Sequence, residues 1–250
     1  MINKIVSCGQ TGVGLAALDV AMEMGILHGG WVPKGRSTPS GRLPDKYRLK
    51  ELSTQNYYQC SLLNIIDSDG TLLISHGKLT GESALTQEMA KKHARPCLHL
   101  DLREMTLSKA SEVMRSWIEI RGIEILNVEG PWAGSDPETD KAARMLIKDV
   151  LMFYLPRTVQ EASERLLSDL PLKEKAGIAR MAEEELRFLQ ESLGEYIRRR
   201  FGLRSGNQAL MRSCGEFAGD GNMGEERASA LIVHELWKQL KETHSLRIVK

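Results

Sequence analysis

No run of about 18 apolar residues occurs anywhere in the 250-residue chain, so the sequence offers no membrane-spanning helix. The N-terminus lacks the charged-then-apolar layout of a signal peptide, because polar residues from Ser7 to Gly12 interrupt it. Neither sign of charge dominates: 34 Lys and Arg stand against 33 Asp and Glu, a formal net charge of +1. That balance gives no electrostatic reason to expect a nucleic acid or an acidic membrane as partner. The four cysteines, Cys8, Cys60, Cys97 and Cys214, are far apart and form no CxxC pair, which argues against structural disulfides and a zinc site. The six histidines show no HxH or HExxH spacing, so no metal site is expected. Ser7 and Ser75 end apolar runs, but no GxSxG elbow or matching His/Asp set supports a nucleophile. Internal repeats and low-complexity tracts are also missing. The expectation is a cytoplasmic protein of one large or two modest domains, long enough to bury a proper core.

What the chain does have is a short apolar run that ends in a glycine turn and opens a helix. Ile5 and Val6 read as a buried strand, and Gly9, Gln10, Thr11 and Gly12 form the turn. Thr11 is expected to cap a helix whose apolar side includes Val13, Ala16, Ala17, Val20 and Met24, with Gly25 as its stop. A strand, a glycine turn and a helix N-terminus make an anion site, because unpaired N–H groups and the helix dipole both favour negative charge. An ordinary strand-to-helix turn is the competing reading of the same residues.

The pattern recurs downstream. Residues 29–33 read as a second strand, followed by a long polar loop from Lys34 to Asp45 and a short extended piece over 47–52. A helix over 57–66 precedes a strand over 71–75, and Thr80, Gly81 and Ser83 then open a helix that runs to about His93. A strand over 97–101, a helix over 107–122, a strand over 123–128 ending at Gly130, and a helix from Asp136 through Leu151 complete the series. Strands alternating with helices predict an α/β fold: a Rossmann-like parallel sheet with helices on both faces. Three of its strand ends carry glycine turns, which predicts one shared ligand site beyond their carboxyl ends.

Pro156 marks a change of character. Helical patterns cover 159–170, 172–177 with continuation to 193, 196–201, 208–214 and 225–243, with no convincing strand among them. The division is therefore residues 1–155 as the Rossmann-like ligand-binding domain and 156–250 as an all-helical domain.

Several residues are candidates for chemistry. Lys34 and Arg36 follow the second strand, where Arg can fork onto a phosphate and Lys can neutralise it; solvated loop charge is the alternative. Asp67 and Asp69 precede their strand, at the end opposite the glycine turns, and read as turn chemistry. Glu82, in the first turn of its helix, is the best-placed general base, with Glu88 further along; helix capping is the competing role. Cys8 lies in the ligand-facing turn as a candidate reactive thiol, whereas Cys60 and Cys97 read as small core residues. Arg198, Arg199 and Arg200, beside Glu191 and Glu195, read as a solvated helix face.

These residues carry a resemblance. Residues 7–14, SCGQTGVG, with Ala17, Leu18 and Asp19 after them, are similar to the opening motif of the putative molybdenum carrier family, the circularly permuted YpsA-like branch of the SLOG superfamily. Residues 28–36, HGGWVPKGR, resemble its GGWCPKGR motif. Asn64, residues 67–70, residues 79–86 and residues 126–131 match in order, so the resemblance spans roughly residues 1–150. It implies a Rossmann-like site for a nucleotide or molybdopterin-type ligand, often in a homo-oligomer. The matching positions are Gly9, Gln10, Thr11, Gly12, Lys34, Arg36, Thr80, Gly81, Ser83, Asn127 and Gly130. The departures are Gly14 and Leu15, where the family commonly has Asp and Arg, and Cys8 in place of a glycine. The leading expectation is a binding or carrier protein for a small anionic ligand, with molybdenum cofactor or a nucleotide as the cargo. The alternative is a nucleotide N-glycosidic hydrolase resembling the Lonely guy enzymes, with Glu82 or Glu88 as its carboxylate. Residues 158 to about 214 also resemble an uncharacterised all-helical domain found in other bacterial proteins, chiefly through residues 196–203 and Asn207.

Overall fold

The computed structural model describes residues 2–244 apart from 39 and 135, and the side chains of 137 and 244 lie outside the description. The chain divides between Tyr154 and Leu155 into two compact units.

In the first unit, β1 (Lys4–Val6) leads to α1 (Val13–Glu23), β2 (Leu27–Gly29) and β3 (Trp31–Val32). The expected single strand over 29–33 is thus two, because Gly30 turns the chain at a φ of +116°. A 3-10 turn at Lys34–Arg36 and a small hairpin of β4 (Ser37–Thr38) and β5 (Gly41–Arg42) occupy the polar loop. β6 (Lys50–Glu51) then pairs with β3. The remaining elements are α2 (Tyr57–Ile66), β7 (Gly70–Ser75), α3 (Gly81–Lys92), β8 (Cys97–Asp101), α4 (Leu107–Arg121), β9 (Ile125–Glu129) and α5 (Pro137–Phe153).

Five strands form one parallel sheet in the order β2-β1-β9-β7-β8. Every residue of β7 is buried, as a strand covered on both faces requires. Right-handed crossovers explain the layers. The β1-to-β2 and β8-to-β9 connections run toward one edge and put α1 and α4 on one face, where both pack on α5. The β7-to-β8 connection runs the other way and puts α3, packed on α2, on the opposite face. The direction therefore reverses around β9, the last of the five in sequence and the middle one in space.

The second unit is all helical among its described residues. It comprises α6 (Val159–Asp169), α7 (Leu172–Arg180), α8 (Glu195–Arg200), α9 (Gln208–Ala218) and α10 (Glu225–His244). The helix expected to continue from 172 to 193 stops at Arg180, and the chain then winds as a 3-10 turn (Glu183–Leu189) and a π turn (Gln190–Gly194). The core gathers Leu166, Ile178, Ile197, Phe201, Leu210 and Leu236, among others. Asn207 ties it together: its Oδ1 accepts from Leu210 N at the start of α9, and its Nδ2 donates to Pro156 O and Phe201 O, both at 2.8 Å. The expectation of a solvated arginine face fails at Arg198, which is buried and donates to Ser229 Oγ, Gln190 O and Glu195 Oε2. Among the described residues no helix is long and apolar enough to cross a membrane.

Candidate functional site

A cleft of about 960 Å³ opens at the carboxyl ends of β1, β9, β7 and β8, where the crossover direction reverses. Of the residues expected at a site, it brings together Gln10, Thr80, Gly81, Ser83 and Gly130, and Glu82 joins them. The three glycine turns thus converge. The N-terminus of α3 faces this cleft with Thr80 at the cap position, and no side chain caps it. Its first N–H groups are consequently directed at whatever occupies the cleft. Lys78 and Arg103 line the same space, and neither side chain has a hydrogen-bond or ion-pair partner among the described residues. Tyr57 and Trp132 add two aromatic walls.

The N-terminus of α1, expected to be the main anion site, is arranged differently. Gly12 stands at its cap with a φ of +102°, and a Cβ there would lie 2.4 Å from Pro131 O and 2.8 Å from Ala133 N. Ala133 N donates to Thr11 O, so the segment after β9 crosses directly over this helix end. Thr11 does not cap α1: its Oγ1 is buried and has no partner among the described residues. Gly9, Thr11 and Gly12 shape the turn beneath the cleft and do not line it.

Lys34 and Arg36 are not brought to the cleft either. Lys34 is exposed beside β3. Arg36 turns inward, with 8% of its surface exposed. Its guanidinium donates to the carbonyls of Leu43 (3.1 Å), Pro44 (3.1 Å), Tyr47 (2.7 Å) and Leu49 (3.4 Å). The expected phosphate fork is instead a clamp on the loop over 37–49, because those carbonyls have taken its donors. Asn127 is fully buried in β9 and donates to Thr71 Oγ1 and Glu129 Oε1, its Oδ1 being without a partner among the described residues.

A second, smaller cavity of about 20 Å³, room for roughly one water, lies against the cleft floor and shares Gln10, Glu82, Ser83 and Gly130 with it. Glu129, which sequence reasoning did not single out, forms part of its wall. The carboxylate accepts from Thr86 Oγ1 at 2.8 Å and from Ser61 Oγ and Asn127 Nδ2 at 3.3 Å. Burial pushes Glu129 above the usual carboxylate range, against the pull of those three hydrogen bonds. Gly14 lines the same cavity, and a Cβ there would lie 2.4 Å from Ser7 Oγ. Leu15, the other departure from the family pattern, packs beside Leu18, Val32 and Leu43. Glu82 accepts from Gln10 Nε2 at 3.0 Å, which links the first glycine turn to α3. Glu88 is exposed and lines neither cavity.

Cys8 is not the reactive thiol its position suggested. It is 4% exposed, and burial raises its pKa well above the ordinary value, so the thiolate is scarce. Cys60 is fully buried as expected, whereas Cys97 is partly exposed. The paired aspartates tie distant segments together rather than closing their own turn as expected: Asp67 accepts from Trp31 Nε1, and Asp69 from the N–H groups of Glu124 and Ile125 at the start of β9. Ser75 Oγ lies 2.8 Å from His99 Nε2, a pair that sequence did not reveal because it spans two strands. The hydroxyl donates to Gly77 O at 2.7 Å, so it receives the imidazole N–H rather than giving up its own proton. No activated nucleophile results. Across the cleft His76 Nδ1 meets Thr139 Oγ1 at 2.7 Å and Asp136 Oδ2 at 3.3 Å. Burial alone would raise the Asp136 carboxyl, but the Thr139 hydroxyl and N–H and the imidazole hold it below its usual range. No group of three or more metal-ligating side chains occurs among the described residues.

Residues 155–240 match a domain of unknown function, DUF6794. No curated protein matches the chain. The crystal structure of a protein titled putative molybdenum carrier protein from Syntrophus aciditrophicus is similar at 47% identity, covering 60% of this chain and 95% of that one, with a TM-score of 0.59. Residues 5–151, from β1 to the last turns of α5, match the circularly permutated YpsA SLOG family, and this chain belongs to it.

Proposed function

We propose that the first unit is a binding protein that holds a nucleotide-like or pterin-phosphate ligand, the molybdenum cofactor being one such molecule, in the cleft between β1, β9, β7 and β8. The observation that carries this reading is the uncapped N-terminus of α3 facing a cleft that also holds Lys78 and Arg103. The name of the similar Syntrophus aciditrophicus protein supports a molybdenum-bearing cargo. The rest of the wall favours an organic ligand over bare molybdate. Tyr57 and Trp132 offer flat apolar surface, and Glu82 and Glu138 are acceptors that an all-acceptor oxoanion leaves unmatched. Self-association, implied by the resemblance, belongs to the same proposal and is read by light scattering.

Thermal-shift measurements on the full chain test it, with AMP, ATP, NAD, ADP-ribose, a molybdopterin preparation, molybdate, and phosphate as control. A ligand at 100 times its dissociation constant adds about 2.7 kcal/mol, enough to detect. A nucleotide or pterin shift well above that of phosphate, lost in Arg103→Ala and Lys78→Ala and kept in Lys34→Ala, is expected. No shift from any of these ligands would refute the reading.

One observation favours a second reading, hydrolysis of a nucleotide N-glycosidic bond. Glu82 lines the cleft and is held by Gln10, as a positioned carboxylate would be. Free base released from AMP, and abolished by Glu82→Gln, would support it; a stable AMP complex with no turnover would leave binding alone.

A further inference from the structure

The second unit contains a groove of about 690 Å³ that the ligand cleft has nothing to do with. Its floor is apolar: Leu166 from α6, Leu170 just after it, Ile178 from α7, and Leu189 and Leu193 from the 3-10 and π turns. It exists because α7 stops at Arg180 and the chain winds tightly from Glu183 to Gly194 instead of running on as one helix. Leu172 at the start of α7 and Phe188 in the 3-10 turn are exposed as well, 71% and 66%.

Two features indicate what covers it. Asp169 and Glu174 are the charged side chains lining the groove. Arg165 pairs with Asp169 at 2.9 Å and Arg200 bonds the Tyr196 hydroxyl of the same wall, so the uncompensated charge at the rim is the exposed Glu174 carboxylate, which has no partner among the described residues. The second feature is Gly177, inside α7 and in the groove wall. A Cβ there would meet nothing within 4 Å, and the backbone is not left-handed. The fold of this unit therefore does not need glycine at a position where it weakens a helix. A bare Cα does let another backbone approach closely, as small residues do wherever helices pack tightly.

We infer that this groove receives an amphipathic helix from another protein, one whose apolar ridge is flanked by lysine or arginine. The ridge lies along the leucine floor, its backbone passes over Gly177, and its cation faces Glu174. This is the helix-in-groove mode of recognition, with charge setting the orientation. Nothing in the inference depends on the ligand of the first unit.

The test uses the full chain and fluorescence anisotropy with a labelled amphipathic helix built of leucine and lysine, and a leucine–glutamate counterpart. Gly177→Leu fills the groove from an open position, and Glu174→Lys reverses the rim charge on an exposed side chain. Circular dichroism confirms that both variants fold. The leucine–lysine helix is expected to saturate the protein and to bind at least tenfold more weakly to each variant, with no binding by the leucine–glutamate helix. Equal affinity in the variants, equal binding of both helices, or no binding would overturn the inference. So would saturation by dodecylamine without any response to the helix, which would assign the groove to a cationic amphiphile instead.

Discussion

Replacing Arg36 separates a structural role from a ligand-binding one. Its guanidinium donates to four main-chain carbonyls between Leu43 and Leu49, and those residues in turn hold Leu43, Tyr47 and Leu49 against Leu18 and Val32. A hydrogen bond to a charged group contributes about 1.5–3 kcal/mol net. Four such bonds would give a large gross figure, but two facts reduce it. The bond to Leu49 is long at 3.4 Å, and in Arg36→Ala the loop can loosen and let water reach the carbonyls. The small apolar cluster then bears the damage, and about 3–4 kcal/mol is the expected loss, at the upper end for a single substitution. For a unit of this size each kcal/mol moves the melting temperature by about 2–4 °C, so a drop of roughly 10 °C is expected in the transition of the first unit. Arg36→Lys keeps the charge without the planar fork and should recover only a minor part. Calorimetry on the full chain, with the two transitions resolved, reads the effect. A melting temperature within about 2 °C of the parent, together with loss of affinity for the cleft ligand, would refute the clamp and return Arg36 to the ligand.

Other outcomes follow from the same geometry. Glu129→Gln removes a carboxyl whose folded-state pKa is raised by burial. Folding with that group costs stability as pH rises from the ordinary glutamate range through the raised value, so melting curves should favour the variant more at pH 7 than at pH 4; a pH-independent difference would count against a buried, ionising Glu129. Gly12→Ala forces a Cβ to within 2.4 Å of Pro131 O at a φ of +102°, and urea titration should show a loss of at least about 2 kcal/mol. Asn207→Ala strips Phe201 O and Pro156 O of their donor and α9 of its cap, which should cost the second unit about 2–4 kcal/mol. Gly177→Ala should stabilise that unit by about 0.5–1 kcal/mol, and a loss would mean the bare Cα serves the fold after all.

The parallel sheet, its helices and the convergence of the glycine turns were legible because each rests on local signals: buried runs, turn residues and helix periodicity. Strand order was not, since nothing near residues 125–129 says that this last strand pairs with the first. That insertion brings the segment 131–133 over α1 and leaves α3 as the open helix end. Arg36 was expected to fork onto a phosphate because it follows the second strand at the ligand end of the sheet, and only the path of residues 43–49 supplies the carbonyls that turn it inward. Glu129 went unnoticed because its partners come from α2, α3 and its own strand. Lys78 and Arg103 carry no motif and become candidates only once two strand ends lie side by side.

Trp132 has a consequence for how such a chain can change over time. Its ring lies where a Cβ on Gly134 would stand, with ring carbons 2.1–2.7 Å from that point. The dependence runs one way: any larger residue at 134 displaces the indole, whereas Trp132 can change while Gly134 stays. A large aromatic ring in this position at the mouth of the cleft therefore requires glycine two residues on, and a substitution at 134 reshapes the cleft wall without touching a residue that lines it.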